Sequence, residues 1–338
     1  MLHSVQLAFF GLSAIAVVGV WGPFVRDGGF DAMNAVVARH PSTGIPGLQH
    51  YPEFDQGLMS IVAFNLSAVK SHAYRFMVQF LANVAVIPVI LCTEDSLAPP
   101  GSWVRYSTIW GLLSQLCTSA VVYPLYAMSF IRHSSRESSQ ARQPLSNTSF
   151  IFTLAIGYAF PAALMLDVFQ SSLNVQIWGI IAFTIYPVCM TLVARIMKAI
   201  TKDWPSKFQS QHQKIPTLRY AVIGGAALQG HLWYLATLSG FFNEYTLSPA
   251  AEEMEWDKAS KLVLRFLQVD YAITFVAMLL LAWHELVRHK ILPAWRALGG
   301  MVVGWILVGP GATLAVAWYL RSQFTMRPRT CKSDPKIN

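Results

Sequence analysis

Residues 72–92 read HAYRFMVQFLANVAVIPVILC and form an apolar run of membrane-spanning length. A helix needs about 20 apolar residues to cross the hydrocarbon core of a bilayer. The polar side chains of this run, His72, Arg75, Gln79 and Asn83, recur at helical spacing and therefore lie on one face. A polar face at membrane depth is expected to point into a bundle or a cavity. The run therefore predicts a helix inside a polytopic membrane bundle.

Similar apolar runs recur along the whole chain. Hydrophobic residues make up 54% of the 338 residues and charged residues only 12%, which is about half the charged fraction of a typical soluble domain. We expect an all-α polytopic transmembrane helical bundle of about eight spans (seven to nine), forming a single integral membrane domain over residues 1–338. The predicted spans are 4–22, 72–92, 104–131, 148–168, 173–194, 217–242, 262–284 and 297–320.

Two regions do not have the length or composition of a span. Residues 22–71 predict a membrane-adjacent loop with a short amphipathic or re-entrant segment, because the apolar stretch 57–69 is too short to cross confidently. A pair of glycines in this loop permits a tight turn, which would place Asp27 and Asp31 at the mouth of a pocket. Residues 321–338 predict a polar tail.

The net charge of +8 is concentrated in some of the loops. The basic loops are 132–147, 195–216 and 285–296, and the remaining loops are 93–103, 169–172 and 243–261. The positive-inside rule places the basic set in the cytosol and the other set on the opposite side. The basic tail after residue 320 conflicts with this assignment. Either the tail tolerates the acidic side, or a break at Gly309-Pro310-Gly311 makes the last segment re-entrant.

Polar side chains from four predicted helices fall at similar depths. Asn83, Gln115, His231 and Asp270 form this layer, which predicts a pocket within the membrane. The candidate catalytic residues are Asp270, Glu94, Asp27 and Asp167, and the candidate substrate-binding residues are Asp31, Arg75, Gln79, Asn83, Gln115, Tyr186, His231 and Trp233. The alternative is that these groups only form hydrogen bonds between helices and hold the bundle together.

The sequence lacks the motifs of nucleotide, metal and serine chemistry. It has no GxxxxGK[ST], GxGxxG, HExxH or GxSxG motif and no DDxxD run for magnesium diphosphate. We therefore expect no metal site and no cofactor, and the loop charge does not indicate nucleic-acid binding. Two possible functions remain: acid–base chemistry by carboxyl groups in an apolar cavity, or passage of a ligand. Desolvation favours the neutral form of a buried carboxyl, which suits it to donate a proton.

Several strings in the first third of the chain resemble fungal membrane-bound terpene cyclases of meroterpenoid biosynthesis, of the ascofuranone and ascochlorin cyclase type. These strings are Trp21-Gly22-Pro23, Arg26-Asp27-Gly28-Gly29-Phe30, Ala38-Arg39-His40-Pro41-Ser42-Thr43-Gly44-Ile45-Pro46, Val62-Ala63-Phe64-Asn65, Tyr74-Arg75-Phe76-Met77, Phe80-Leu81-Ala82-Asn83 and Pro88-Val89-Ile90-Leu91-Cys92-Thr93-Glu94. Beyond them, only the span pattern is similar.

The resemblance implies an enzyme that protonates an epoxide or terminal alkene of a prenylated aromatic substrate and directs cyclisation of the cation without metal. It also implies an integral membrane protein, in the endoplasmic reticulum, whose partners are the lipid bilayer, a small hydrophobic prenylated substrate and neighbouring pathway enzymes. The alternatives are a transporter or binding protein for a small hydrophobic ligand and a sterol-isomerase-like enzyme. The sequence shows no internal repeat, which weighs against an inverted-repeat transporter.

Overall fold

The computed structural model of the chain describes residues 2–39, 52–69, 73–99, 101–134, 147–200, 215–238 and 253–325. These residues form helices and connecting turns, and no strand occurs among them. The helices are α1 Leu2–Ala16, α2 Gly22–Arg26, α3 Gly29–Arg39, α4 Pro52–Val69, α5 Tyr74–Val84, α6 Val86–Leu97, α7 Ser107–Cys117, α8 Ser119–Ser134, α9 Asn147–Leu154, α10 Phe160–Met165, α11 Leu173–Thr184, α12 Tyr186–Ile200, α13 Ile215–Leu238, α14 Glu253–Arg288, α15 Ala294–Val308 and α16 Pro310–Thr325. The π-helical turns Val17–Trp21 and Ala155–Ala159 join α1 to α2 and α9 to α10.

Three helical stretches in the described part of the chain are long and apolar enough to cross a membrane. They are Ser4–Arg26, Tyr74–Leu97 and Ala259–Arg288, and a fourth arises if Leu173–Thr184 and Tyr186–Ile200, bent by 77°, count as one span. The all-helical class is therefore confirmed, and the long apolar helices are consistent with a membrane protein. The predicted total of about eight spans is not confirmed. Two of the predicted spans, 104–131 and 297–320, are helical hairpins instead of single crossing helices.

The predicted span 104–131 is a helical hairpin. The chain reverses direction at Thr118, whose φ of 78° ends α7 and allows α8 to begin. The rings of Trp110 and Tyr126 lie in contact, with centroids 5.6 Å apart. A continuous helix would separate these two residues by about 24 Å. We call α7 and α8 the first hairpin.

The predicted span 297–320 is also a hairpin. Gly309, with a φ of 84°, provides the left-handed conformation that ends α15, and Pro310 begins α16. Glycine after a helix and proline at the first helical position are the residues favoured at these places. The two helices pack so closely that a Cβ on Gly304 would lie 2.7 Å from Oγ1 of Thr313. We call α15 and α16 the second hairpin.

Both hairpins begin and end at one end of the bundle, where Glu94, Glu285 and Arg321 meet. We call this the Arg321 end. The first hairpin starts here, because the Ser107 hydroxyl donates a 2.9 Å hydrogen bond to Asp95. The second also starts here, because the Trp283 indole, two residues before Glu285, donates to the carbonyl of Ala294.

This arrangement corrects the predicted orientation of the loops. Residues 93–103 were expected opposite to 285–296, but the contacts of Glu94 place both connections at the Arg321 end. The similar depths predicted for Asn83 and Asp270 are counted from residues 93 and 262 as one boundary, but these residues lie at opposite ends of the bundle. The second hairpin resolves the conflict over the C-terminal charge, because a re-entrant last segment returns residue 320 to the end that carries 285–296.

The two hairpins belong to a structural repeat that the sequence does not reveal. Each unit is a long helical stretch that ends in a glutamate at the Arg321 end and is followed by a hairpin. Equal numbers of residues separate Glu94 from the tip at Thr118 and Glu285 from the tip at Gly309. The absence of a repeat that is visible in the sequence is therefore no argument against transport.

Two further boundaries differ from the predictions. The region 22–71 is largely helical, since α2, α3 and α4 occupy its described residues and the stretch 57–69 is the C-terminal part of α4. The tight turn is present at Gly28, whose φ is 80°. The predicted polar tail starts too early, because α16 continues to Thr325 and Arg321 is only 7% exposed.

The two hairpins predict which exposed residues lie on the same side of the membrane. In a chain whose four cysteines are replaced by serine, single cysteines at the exposed Trp103 and Trp295 should react with a membrane-impermeant maleimide from the same side. A cysteine at exposed Asn34 should react from the opposite side, because nearby Asp27 pairs with Arg265, about 30 Å from Glu285 along α14. Labelling of the Trp103 position together with Asn34, but not with Trp295, would contradict the first hairpin.

Candidate active site

Asp270 in α14 holds the tip of the first hairpin. The first N–H groups of a helix have no acceptor within that helix, and α8 begins inside the bundle. Oδ1 of Asp270 accepts a 2.6 Å hydrogen bond from the backbone N–H of Ala120. The Asp270 residue is 4% exposed, and it forms no ion pair with any cation in the described ranges. Asp270 is therefore a buried carboxyl group without a compensating positive charge.

Asn83 in α5 holds the tip of the second hairpin, as Asp270 holds the tip of the first. Its Oδ1 accepts a 2.9 Å hydrogen bond from the backbone N–H of Gly311, at the start of α16. Its Nδ2 donates to the carbonyl oxygen of Gln79, one turn earlier in its own helix. The backbones approach so closely that a Cβ on Gly311 would lie 2.7 Å from Oδ1 of Asn83. Each hairpin tip is thus capped by a span of the other unit.

Gln79 and His231 form a buried side-chain pair beside the second tip. Nε2 of Gln79 lies 3.0 Å from Nδ1 of His231, and the residues are 4% and 7% exposed, respectively. A Cβ on Gly309 would lie 2.7 Å from Cγ of His231, so the tip and the imidazole are packed directly together. The polar face predicted on residues 72–92 therefore points into the bundle at this level.

An aromatic cluster lies between the two capping helices. Neighbouring ring centroids are 4.8–6.3 Å apart. The members of this central aromatic cluster are Phe76, Phe80, Tyr234, Tyr271 and Phe275. Aromatic faces at this spacing attract a cation, by about 0.5–2 kcal/mol each.

Several buried polar atoms in this region have no hydrogen-bond partner among the described residues. They are Oε1 of Gln79, Nε2 of His231, the hydroxyl of Tyr271 and Oγ1 of Thr274. Buried polar groups are nearly always hydrogen-bonded in native proteins. These four atoms lie near the central aromatic cluster, and other atoms of this kind occur elsewhere in the described bundle, for example on Tyr126 and Tyr220.

The other predicted binding residues lie outside this group. Gln115 and Trp233 are half-buried, and neither forms a hydrogen bond or ring contact with it in the described part of the chain. Tyr186 is fully buried against Tyr158, with centroids 5.0 Å apart, and lines a small pocket between α6, α7 and α12. Arg75 donates to the carbonyl of the α13 residue Thr237, at the end of the bundle opposite to Arg321.

Asp27 is one of the lining residues of a small pocket, and it is an ion-paired carboxylate. The pocket lies between α14 and the segment formed by the π-helical turn Val17–Trp21 and α2, and Phe24 and Phe266 are among its lining residues. Arg26 donates a 2.9 Å hydrogen bond to Asp27, and Arg265 lies 3.4 Å away. The hydrogen bond from Arg26, with the charges of both arginines, holds the pKa of Asp27 below its usual range. This environment suits a fixed negative charge more than a proton donor.

Asp31 and Asp167 both lie away from the central aromatic cluster. Asp31 is exposed in the first turn of α3. Asp167, with a φ of 55°, accepts hydrogen bonds from the backbone N–H and the hydroxyl of Ser171. Asp167 therefore closes the turn between α10 and α11. The structure does not bring either residue to the central aromatic cluster.

Glu94 belongs to a buried ionic cluster at the Arg321 end. Arg321 donates to Glu94 at 2.7 Å and to Glu285 at 2.9 Å, and the fully buried Trp318 indole donates to Glu94 at 2.9 Å. The guanidinium also lies 5.0 Å from the ring centroid of Phe130. Arg321, in the second hairpin, thus contacts the C-terminal ends of both α6 and α14.

Arg321, Glu285 and Trp318 were not among the predicted site residues. Arg321 follows the last apolar run, so hydropathy alone assigns it to a tail. Its two carboxylate partners are distant in the sequence, and only the equal spacing of Glu94 and Glu285 from the two helix breaks indicates that they correspond.

Comparison with known proteins identifies the family. The CtvD domain matches residues 5–326 of the chain. The chain belongs to the CtvD domain family. A terpene cyclase from Pyrenophora dematioidea is 74% identical over 328 residues, with 97% of each chain covered. Terpene cyclase rstn5 of Aspergillus nomiae is 50% identical with 99% of each chain covered, and terpene cyclase resF of Aspergillus sclerotiorum is 44% identical with 96% of each covered.

These relatives span essentially the whole CtvD-family chain and are named terpene cyclases. The chain is therefore an enzyme with cyclase activity, as the resemblance in its first third implied, and the transporter and binding-protein alternatives lose their support. No solved structure matches the chain.

The ionic cluster predicts a large loss of stability when its cation is removed. Arg321→Met leaves Glu94 and Glu285 buried without their shared partner, and breaking a buried pair in this way costs about 3–5 kcal/mol. The thermal midpoint of the purified protein in detergent should fall accordingly. Arg288→Met is the matched control, because Arg288 is exposed and lies 3.6 Å from Glu285, where a pair contributes about 0–1 kcal/mol. Equal effects of the two substitutions would contradict a buried clamp.

Proposed function

We propose that the chain is an intramembrane terpene cyclase that acts without metal and starts the reaction with a carboxylic acid. The substrate is a prenylated aromatic (meroterpenoid) molecule whose epoxide, or terminal alkene, accepts the proton. The observation that carries this proposal is Asp270, a buried carboxyl group with no ion pair among the described residues, whose neighbour in sequence, Tyr271, belongs to the central aromatic cluster.

A comparison of the two hairpin tips supports Asp270 as the acid. Asn83 caps the second tip with a neutral amide, so capping alone does not require a carboxyl group. Asp270 has the same capping role at the first tip but can also carry a proton. Removal of a carboxyl from water without a positive partner favours its neutral form. The first tip therefore combines a structural role with the capacity to donate a proton.

The reaction then needs one proton donor and a protected cation. Asp270 donates its proton to the epoxide oxygen as one carbon–oxygen bond breaks, because an epoxide oxygen accepts a proton far more readily than an alkene. The positive charge on carbon is stabilised by the faces of the central aromatic cluster while a double bond or oxygen of the substrate closes the ring. The final proton returns to the Asp270 carboxylate, so the net reaction is an isomerisation.

The position of the site and the loop charges support a membrane setting. Sites formed by interrupted helices at the interface of two repeats, near the middle of the bilayer, are a recurring arrangement in membrane proteins. The Arg321 end carries Arg132, Arg195, Lys198 and the basic segment 285–296. By the positive-inside rule this end faces the cytosol. We place the protein in the endoplasmic reticulum membrane on the same resemblance that implies its substrate class.

Asp270→Asn tests the assignment of the acid. Asparagine caps the second tip in the native chain, so this variant should keep the Ala120 hydrogen bond, the membrane expression level and the thermal midpoint. It cannot donate a carboxylic proton, so turnover should fall by about 10²–10⁴-fold, the range for a lost general acid. Turnover is measured as cyclic product formed from a farnesylated phenol that carries a terminal epoxide.

Asp270→Ala provides the structural control. It removes the cap as well as the acid, so it should also lower stability, by about 0.5–2 kcal/mol. Near-wild-type turnover by the asparagine variant, with reduced protein level in the alanine variant, would mean that Asp270 is only a cap. The acid would then be another carboxyl group, and Glu94→Gln is the next comparison.

A further inference from the structure

Gln79 and His231 have unused hydrogen-bonding capacity in the centre of the bundle. Oε1 of Gln79 and Nε2 of His231 are buried and form no hydrogen bond of good geometry within the described residues, and the backbone of Ile306 is a further polar group near the imidazole. Leaving such a group unsatisfied costs about 1–3 kcal/mol. The second hairpin tip packs directly on the imidazole, and Asn83 ties the Gln79 backbone to the same tip. The pair is therefore fixed in place, and something other than these residues is expected to complete its hydrogen bonds.

The contact between the two side chains determines which atoms can donate. The amide nitrogen of Gln79 faces Nδ1 of His231, and an amide nitrogen is only a donor. Nδ1 therefore accepts, and the neutral imidazole carries its proton on Nε2. The pair thus presents one free donor, Nε2–H of His231, and one free acceptor, Oε1 of Gln79.

A hydroxyl group complements this combination. It accepts a hydrogen bond through its lone pairs and donates one through its proton. A carboxylate or phosphate dianion has no proton for Oε1 of Gln79, and an ammonium group has no lone pair for Nε2–H. The flanking residues are apolar rings: Phe76 and Phe80 on α5 lie on either side of Gln79 in sequence, and Tyr234 follows His231 by one turn of α13. The site therefore favours a neutral hydroxyl on an apolar molecule.

We propose that Gln79 and His231 bind a hydroxyl group of the substrate at the end remote from the epoxide, which is a phenol in a prenylated aromatic. The proposal rests on the proposed cyclase function and adds how the second end of the substrate is held. The prenyl chain then lies along the central aromatic cluster, with its reactive end at Asp270.

Binding to the full-length purified protein tests this subsite without turnover. The probes are a farnesylated phenol without an epoxide and its methyl ether, which keeps the oxygen but has no hydroxyl proton. Tryptophan fluorescence quenching measures each Kd. The wild-type protein should bind the phenol about 10- to 100-fold more tightly, the effect expected when a buried acceptor loses its donor.

Gln79→Leu and His231→Phe should each remove most of this preference by weakening phenol binding, with little effect on the ether. The two substitutions lie in different helices, so the test survives if one variant does not fold. Gln268→Leu is the matched control, because it removes an exposed amide from α14 and should keep the preference.

The outcomes separate this subsite from the cyclase itself. Equal affinity of wild-type protein for both probes, no binding of either, or equal weakening of both by the variants would overturn the subsite and assign the pair a structural or water-binding role. A preference for the phenol that both variants abolish supports the subsite, even if the matching epoxide gives no cyclic product. In that case only the proposed cyclase chemistry fails. If cyclic product forms but the phenol is not bound more tightly than the ether, the cyclase function is supported and the subsite is contradicted.

Discussion

Two helices begin inside the bundle, and their free N–H groups require acceptors that only neighbouring helices can supply. Asp270 meets this need for α8, and Asn83 meets it for α16. An unsatisfied amide at either place would cost about 1–3 kcal/mol. Because each acceptor belongs to the span of the other repeat unit, the two units are interlocked at their centre. Arg321 joins the same units again at one end through Glu94 and Glu285.

The two tips are equivalent in geometry and different in chemistry. One is capped by a carboxyl group and the other by an amide, and in the proposed reaction only the carboxyl group donates a proton. The central aromatic cluster contains rings from both capping helices, and in the proposed reaction its faces stabilise the cation. The Arg321 cluster is already paired, so it is better suited to hold the helices than to start the reaction. Under this account, the constraint that folds the hairpins also positions the acid.

Hydropathy predicted the helical class and the inward face of residues 72–92, because burial of polar groups in a membrane allows few arrangements. It failed at 104–131, since a hairpin buried in a bundle is as apolar as a span and Thr118 is not a residue that marks a turn. Gly309 and Pro310 did signal the second break. The partners of Asp270 and Arg321 depend on contacts between distant helices, which spacing along the chain does not show.

The most direct test of acid-initiated cyclisation is product analysis with the purified full-length protein. The protein is incubated, in the presence of a metal chelator, with a farnesylated phenol that carries a terminal epoxide, and the products are separated and weighed by mass spectrometry. Acid-initiated cyclisation should give a cyclic product with the same mass as the substrate, since the proton that enters is returned. Recovery of unreacted epoxide or its diol alone, or cyclisation only after magnesium is restored, would contradict it.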